Sequence, residues 1–127
     1  MKKLLLFLMS LMLVMTGCTK SDNTITFSDA KKMLDKNAMV VLVDVRSPEE
    51  FNKGHLNGAI NVPVKNISFI NENYEKDDEI VVYCKTGARA SNAVDGLNKF
   101  GFKYVYNAGG LSDYNDEFGE LVIRWCN

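Results

Sequence analysis

The sequence is poor in the residues that several common chemistries require. It has one histidine, and its three cysteines are scattered, which offers no ligand spacing for a metal ion. Fifteen basic residues face sixteen acidic ones, for a net charge of −1. With no basic block or stripe to neutralise phosphates, electrostatic nucleic-acid binding is excluded. There is no acidic tail, no basic arm, no glycine-rich nucleotide motif running from a strand into a helix, no internal repeat and no low-complexity segment. The longest apolar run, from Leu4 to Met15, is about twelve residues, short of the roughly twenty that span a bilayer. A chain of 127 residues leaves room for one domain.

What the N-terminus does contain is a positive start, Met1-Lys2-Lys3, followed by that apolar run and then small residues, which is the pattern of a secretory signal. Met15-Thr16-Gly17-Cys18 resembles the lipobox of bacterial lipoproteins, in which the cysteine is diacylated and becomes the new N-terminus. The expected division is a lipoprotein signal peptide over 1–17, a lipidated Cys18 with a polar tether to residue 23, and a folded domain over 24–127. This places the domain outside the cytoplasm, anchored to a bacterial membrane. An oxidising compartment leaves a Cys84–Cys126 disulfide open as a reading. The position of Cys84 argues instead for a free thiol there, with Cys126 an incidental terminal one.

Along the folded part, Ile25 to Phe27 reads as a short strand and Ser28 as the cap of a helix ending near Asn37. Met39 to Val45 is a nearly continuous apolar strand of the kind covered on both faces in a parallel sheet, interrupted by Asp44 near its end. Ser47, Pro48 and Glu50 start a short helix with a capping box, ending by Gly54. Ala59 to Val62 is a brief strand stopped by Pro63, and Ile67 to Tyr74 a short helix. Glu79 to Tyr83 is a second buried strand, followed by a helix from about Ala88 to Phe100 that Gly101 ends. Lys103 to Tyr106 is a strand, Asn107 to Gly110 a flexible turn, Leu111 to Phe118 a helix, and Leu121 to Trp125 an apolar segment that packs back on the domain. Phe51, Phe69, Phe100, Phe102, Tyr104 and Trp125 are expected in the core. Alternating strands and helices predict an α/β fold, with a mostly parallel central sheet flanked by helices on both faces.

Reactive positions in such sheets lie beyond the carboxyl ends of the strands, where both Asp44 and Cys84 fall. Cys84 also precedes a helix whose first N–H groups lack internal partners, so an anion there is stabilised, and a thiolate is such an anion. Lys85 and Arg89 add positive charge.

Taken together, Asp44-Val45-Arg46, Glu50-Phe51, Gly54-His55-Leu56, Gly58 to Pro63, Tyr83-Cys84 with Gly87 and Arg89, and Gly109-Gly110 with Gly119 and Val122 resemble the single-domain rhodanese (sulfurtransferase) family in order and spacing. The resemblance runs from about Thr24 to Val122. It implies a catalytic Cys84 that accepts a sulfane sulfur from a donor such as thiosulfate, holds it as a persulfide and passes it to a thiol or cyanide-like acceptor, with no cofactor and with room for a redox or sulfur-relay protein partner. The loop Lys85, Thr86, Gly87, Ala88 and Arg89 becomes the cradle for the transferred sulfur, with Arg89 facing the anion. Asp44 and Arg46 become supporting residues, Asp44 bonding to the loop backbone or pairing with a nearby arginine. Four residues between Cys84 and Arg89 fit sulfur; related phosphatases and arsenate reductases have one residue more. Retention of the cysteine also weighs against a non-catalytic binding or redox-sensing module. Two departures stand out: Ala90 precedes Ser91 where the family often has serine directly after the arginine, and Tyr114 replaces the usual tryptophan. His55, after a helix end and beside an apolar segment, is read as a packing residue.

Overall fold

The structure, a computed structural model, describes residues 23–124. Strand β1 (Val41–Asp44), β2 (Ile60–Asn61), β3 (Glu79–Cys84) and β4 (Tyr104–Gly110) form one sheet in the order β2-β1-β3-β4, with every pair parallel. Helices α1 (Phe27–Lys36), α2 (Pro48–Lys53), α3 (Ser68–Asn73) and α4 (Ala88–Lys99), with short 3₁₀ turns at Val64–Asn66 and Leu111–Asp113, precede and connect the strands.

The two-residue period of a strand divides the core. Val43, Val45, Ile80, Val82 and Cys84 point to the face covered by Ile70 of α3 and by Ala90, Ala93, Val94 and Leu97 of α4. Leu42, Val81 and Tyr83 point the other way, to Phe27 and Ala30 of α1 and to Phe118. The sheet thus has helices on both faces, as the strand pattern predicts, and all the carboxyl ends of its strands emerge on one edge.

Several local expectations are corrected. The cap of α1 is Thr26, not Ser28: Asp29 N donates to Thr26 Oγ1 at 3.0 Å and Thr26 N to the Asp29 carboxylate at 3.3 Å, so Phe27 is helical. The extended residues come earlier, where Thr24 pairs in parallel with Asn107. Asn107 to Gly110 is not a flexible turn but the end of β4, where one extra residue on this strand bulges the ladder between Val82 and Cys84. Leu111 to Phe118 holds only a 3₁₀ turn, because Tyr114 is extended and Asp116 lies in the left-handed region at φ 58°. Of the aromatic residues expected inside, Phe51 and Phe102 are buried, whereas Phe69, Phe100 and Tyr104 are exposed; Phe27, Tyr83 and Phe118 take interior places instead. Leu121, Val122 and Ile123 retain substantial exposure, and the segment is held chiefly by the backbone pairing of Val122 with His55. Trp125, Cys126 and Cys18 lie outside the described residues.

Candidate active site

Cys84 ends β3, and the chain turns through Lys85, Thr86 and Gly87 before α4 begins at Ala88. Gly87 occupies the cap position at φ 98°, a left-handed conformation that a residue with a Cβ adopts only with strain. This turns the Gly87 N–H back onto the Cys84 sulfur, to which it donates at 2.9 Å. Cys84 carries a free thiol, so the disulfide reading is not realised, and the residue is fully buried beneath its loop.

The end of β4 forms the other wall of the loop. A Cβ on Gly110 would stand 2.3 Å from Lys85 O and 2.4 Å from Thr86 N, so only glycine permits the approach. Ser112 N donates to Lys85 O at 3.0 Å. Asn107, one residue before the bulge, accepts from Gly109 N at 2.7 Å and reaches Gly87 O at 3.4 Å. Its backbone holds the incoming segment, donating to Asn23 O at 2.8 Å and accepting from Ile25 N at 2.9 Å. The conformation of the loop is thus braced from a second strand and, through it, from the start of the domain.

Arg89, expected to face the anion, has a partner within the protein. Its guanidinium donates to both Glu50 oxygens, at 2.7 and 3.0 Å, joining α4 to α2. Glu50 at the same time closes the capping box of α2, with Glu50 N donating to Ser47 Oγ at 3.3 Å and Ser47 N to Glu50 Oε1 at 3.4 Å. The Arg89 hydrogen bonds hold the Glu50 carboxyl down at about 2, and Glu50 in turn raises the Arg89 pKa above its usual range. Arg89 remains within electrostatic range of Cys84, with its charge balanced.

Of its two expected partners, the loop backbone or a nearby arginine, Asp44 takes the arginine, Arg46. Its two oxygens accept from Arg46 Nε at 3.0 and 3.1 Å, from Nη2 at 2.7 Å and from the Arg46 backbone N–H at 2.9 Å. Arg46 Nη2 also donates to Gly54 O at 2.6 Å, and its guanidinium lies 6.0 Å from the centre of the Tyr83 ring. Burial opposes the Arg46 charge, but Asp44 outweighs it and raises the Arg46 pKa. Tyr83 accepts from Leu56 N at 3.0 Å, and burial followed by the Asp44 charge pushes its phenol well above the ordinary range. This network fixes the exit of β1 against the end of α2 and against β3, one residue before Cys84.

His55 stacks on Phe51 with ring centres 3.6 Å apart, its Nδ1 is 2.8 Å from Phe51 O, and its backbone pairs with Val122. These contacts make it a packing residue. Ser91 lies in the first turn of α4, its N–H donating to Gly87 O, and no side chain caps that helix. Tyr114 packs edge-on against Phe27 at 5.4 Å and accepts from Phe118 N at 3.0 Å, so the tyrosine serves the core beneath the closing segment. Among the described residues no group of three or more His, Cys, Asp or Glu side chains is placed to hold a metal.

A cleft of about 450 Å³ opens beside the loop, lined by Arg46, Glu50, Lys53, Lys85, Leu111 and Ser112. Sequence reasoning did not single out Glu50 as the partner of Arg89, nor Lys53 or Asn107. The capping-box pattern gave Glu50 a sufficient local role, and its partner lies 39 residues away. Lys53 and Asn107 are neighbours of the loop in space only.

The sequence profile of the Rhodanese-like domain family matches residues 26–117. The chain belongs to the rhodanese-like family. Within that family it is similar to the thiosulfate sulfurtransferase PspE of Escherichia coli K12, at 38% identity over 73 residues, covering 56% of this chain and 70% of PspE. Other relatives are longer proteins, of which the chain matches as little as 24%. Among solved structures, a rhodanese with anions from E. coli is 34% identical with a TM-score of 0.58, covering 66% of this chain and 98% of that one. A rhodanese-like domain protein from Staphylococcus aureus is 28% identical with a TM-score of 0.68, covering 80% and 98%. The rhodanese fold, with a mostly parallel sheet between helices, is the one described above, and likeness to named sulfurtransferases supports enzymatic potential within the family.

Proposed function

We propose that the protein is a sulfurtransferase that moves a sulfane sulfur from a donor such as thiosulfate to a thiol or cyanide-like acceptor through a Cys84 persulfide. The observation that carries this reading is the Cys84 sulfur at the end of β3, receiving the Gly87 N–H at 2.9 Å from a loop with four residues between Cys84 and Arg89. In the first step the Cys84 thiolate attacks the outer sulfur of thiosulfate; the new S–S bond forms as the old one breaks, and sulfite leaves with the electron pair. In the second, the acceptor attacks that outer sulfur and Cys84 departs as a thiolate. Sulfur carries negative charge at each stage, and the Gly87 N–H fixed against it stabilises that charge without reorganising.

The reading extends to location. The lipobox-like sequence ending at Cys18 supports a diacylated anchor, with residues up to 23 as a tether and the domain outside the cytoplasm, where a redox or sulfur-relay protein would be its partner. Cys18→Ala is expected to move the protein from the membrane to the soluble fraction; a wild type already soluble would contradict the anchor. For the enzyme, thiocyanate formation from thiosulfate and cyanide is expected in the wild type and lost in Cys84→Ser. Absence of turnover with any common sulfane donor would favour a binding module instead.

A further inference from the structure

Arg46, which lines the cleft, is balanced by Asp44, and Glu50, which also lines it, is paired with Arg89. The charged groups lining the cleft are Arg46, Glu50, Lys53 and Lys85. Once the two ion pairs are set aside, Lys53 and Lys85 remain. Both are exposed, and neither has a carboxylate partner among the described residues. They come from separate elements: Lys53 is the last residue of α2, and Lys85 the first residue after Cys84. Leu111 and Ser112 complete the lining, and the Ser112 N–H bond to Lys85 O fixes that wall to the loop.

Two uncompensated positive charges on one cleft, which reaches the loop through Lys85, the residue after Cys84, select an anionic ligand and raise its local concentration. We infer that Lys53 and Lys85 together hold the anionic end of the sulfur donor, with Lys53 the specificity-determining residue that lies outside the loop, while Arg89 acts as a positioning residue. The inference rests on the proposed sulfur transfer and adds to it the residue that reads the donor's charge. Lysine suits this work because a compact ammonium on a flexible stem follows a ligand whose sulfur is transferred and whose remainder must then leave, whereas a guanidinium in a two-pronged pair is fixed. A second charge supplied by α2 also explains why donor recognition does not need Arg89, whose Glu50 bond ties two helices together.

The test uses the full chain and thiosulfate as the probe, following persulfide formation against donor concentration. Lys53→Ala is expected to raise the half-saturating concentration about three- to fivefold, and Lys53→Glu about tenfold, with the rate at saturation nearly preserved. Lys53→Arg should restore the wild-type value, and added salt should weaken the wild type more than Lys53→Ala. A role confined to the end of α2 would alter thermal stability and leave that concentration dependence unmoved. An unchanged half-saturating concentration in Lys53→Glu overturns the inference. Calorimetric binding of thiosulfate to Cys84→Ser reads the anion site without transfer: weaker binding on adding Lys53→Glu supports it, and equal or absent binding overturns it. Binding that depends on Lys53 in a protein that forms no persulfide would strike the proposed reaction and leave the anion site standing.

Discussion

Asp44–Arg46 and Glu50–Arg89 each join a carboxylate to a guanidinium at 2.7–3.1 Å, yet they stand in different surroundings. The Asp44 and Arg46 side chains are 0% and 8% exposed, whereas those of Glu50 and Arg89 are 32% and 37% exposed. Four hydrogen bonds from Arg46 satisfy Asp44, and a fifth ties Arg46 to Gly54, so the inner pair belongs to the framework that presents Cys84. The outer pair faces water, where screening lowers its contribution, and its main effects are to hold α2 against α4 and to cancel the charge of Arg89. The same chemistry supports a fold in one place and adjusts the electrostatics of a cleft in the other.

Breaking the inner pair should have the larger consequence. Asp44→Ala leaves the Arg46 charge buried without its partner and is expected to cost about 3–5 kcal/mol, read as a fall in the denaturant midpoint. A loss as small as that of a surface pair would remove the distinction.

Gly110→Ala separates the loop from both pairs, since it leaves their residues in place. A Cβ 2.3 Å from Lys85 O forces the backbone apart, with an expected cost of about 1–3 kcal/mol. Persulfide formation should fall far more than stability does, because the Gly87 N–H would no longer meet the sulfur.

The outer pair is sharpened by Glu50→Gln, which keeps the shape and removes the charge. Its stability cost should be about 1 kcal/mol or less. Freed of its partner, Arg89 should lower the half-saturating thiosulfate concentration, the reverse of the change expected from Lys53→Ala. Acid provides the same contrast without mutation. The Glu50 carboxyl is held at about 2, below its ordinary 4.5, so its stabilisation is present above pH 4.5 and is lost as pH falls through about 2. Stability curves of wild type and Glu50→Gln should therefore converge toward pH 2. The smallest effect is that of salt: raising ionic strength should narrow the difference between wild type and Glu50→Gln while leaving that between wild type and Asp44→Ala nearly unchanged.

Much of this arrangement was legible in the sequence. The near-continuous apolar runs around Val43 and Val82 mark buried parallel strands, and the strand-to-helix step after Cys84 marks the loop, because those signals are local and periodic. Ser47 and Glu50 carry the start of α2 within four consecutive residues. What escaped is what depends on distant partners. The place of Arg89 in the loop suggests a side chain facing the anion, and its bond to Glu50, 39 residues earlier, leaves no local signal. Asn107 to Gly110 looked like a turn because glycines usually mark one, whereas here Gly110 serves close backbone approach and Gly109, at φ 90°, the bulge. Phe100 and Tyr104 were expected inside on apolar character alone, and neither is covered by an element among the described residues.

The most direct test of the account is the intact mass of the full chain after incubation with thiosulfate, measured for the wild type and for Cys84→Ser. A gain of one sulfur atom on the wild type, removed by cyanide and absent from Cys84→Ser, is the result predicted by a loop shaped to hold a persulfide. No gain on the wild type, or a gain that persists in Cys84→Ser, would contradict it.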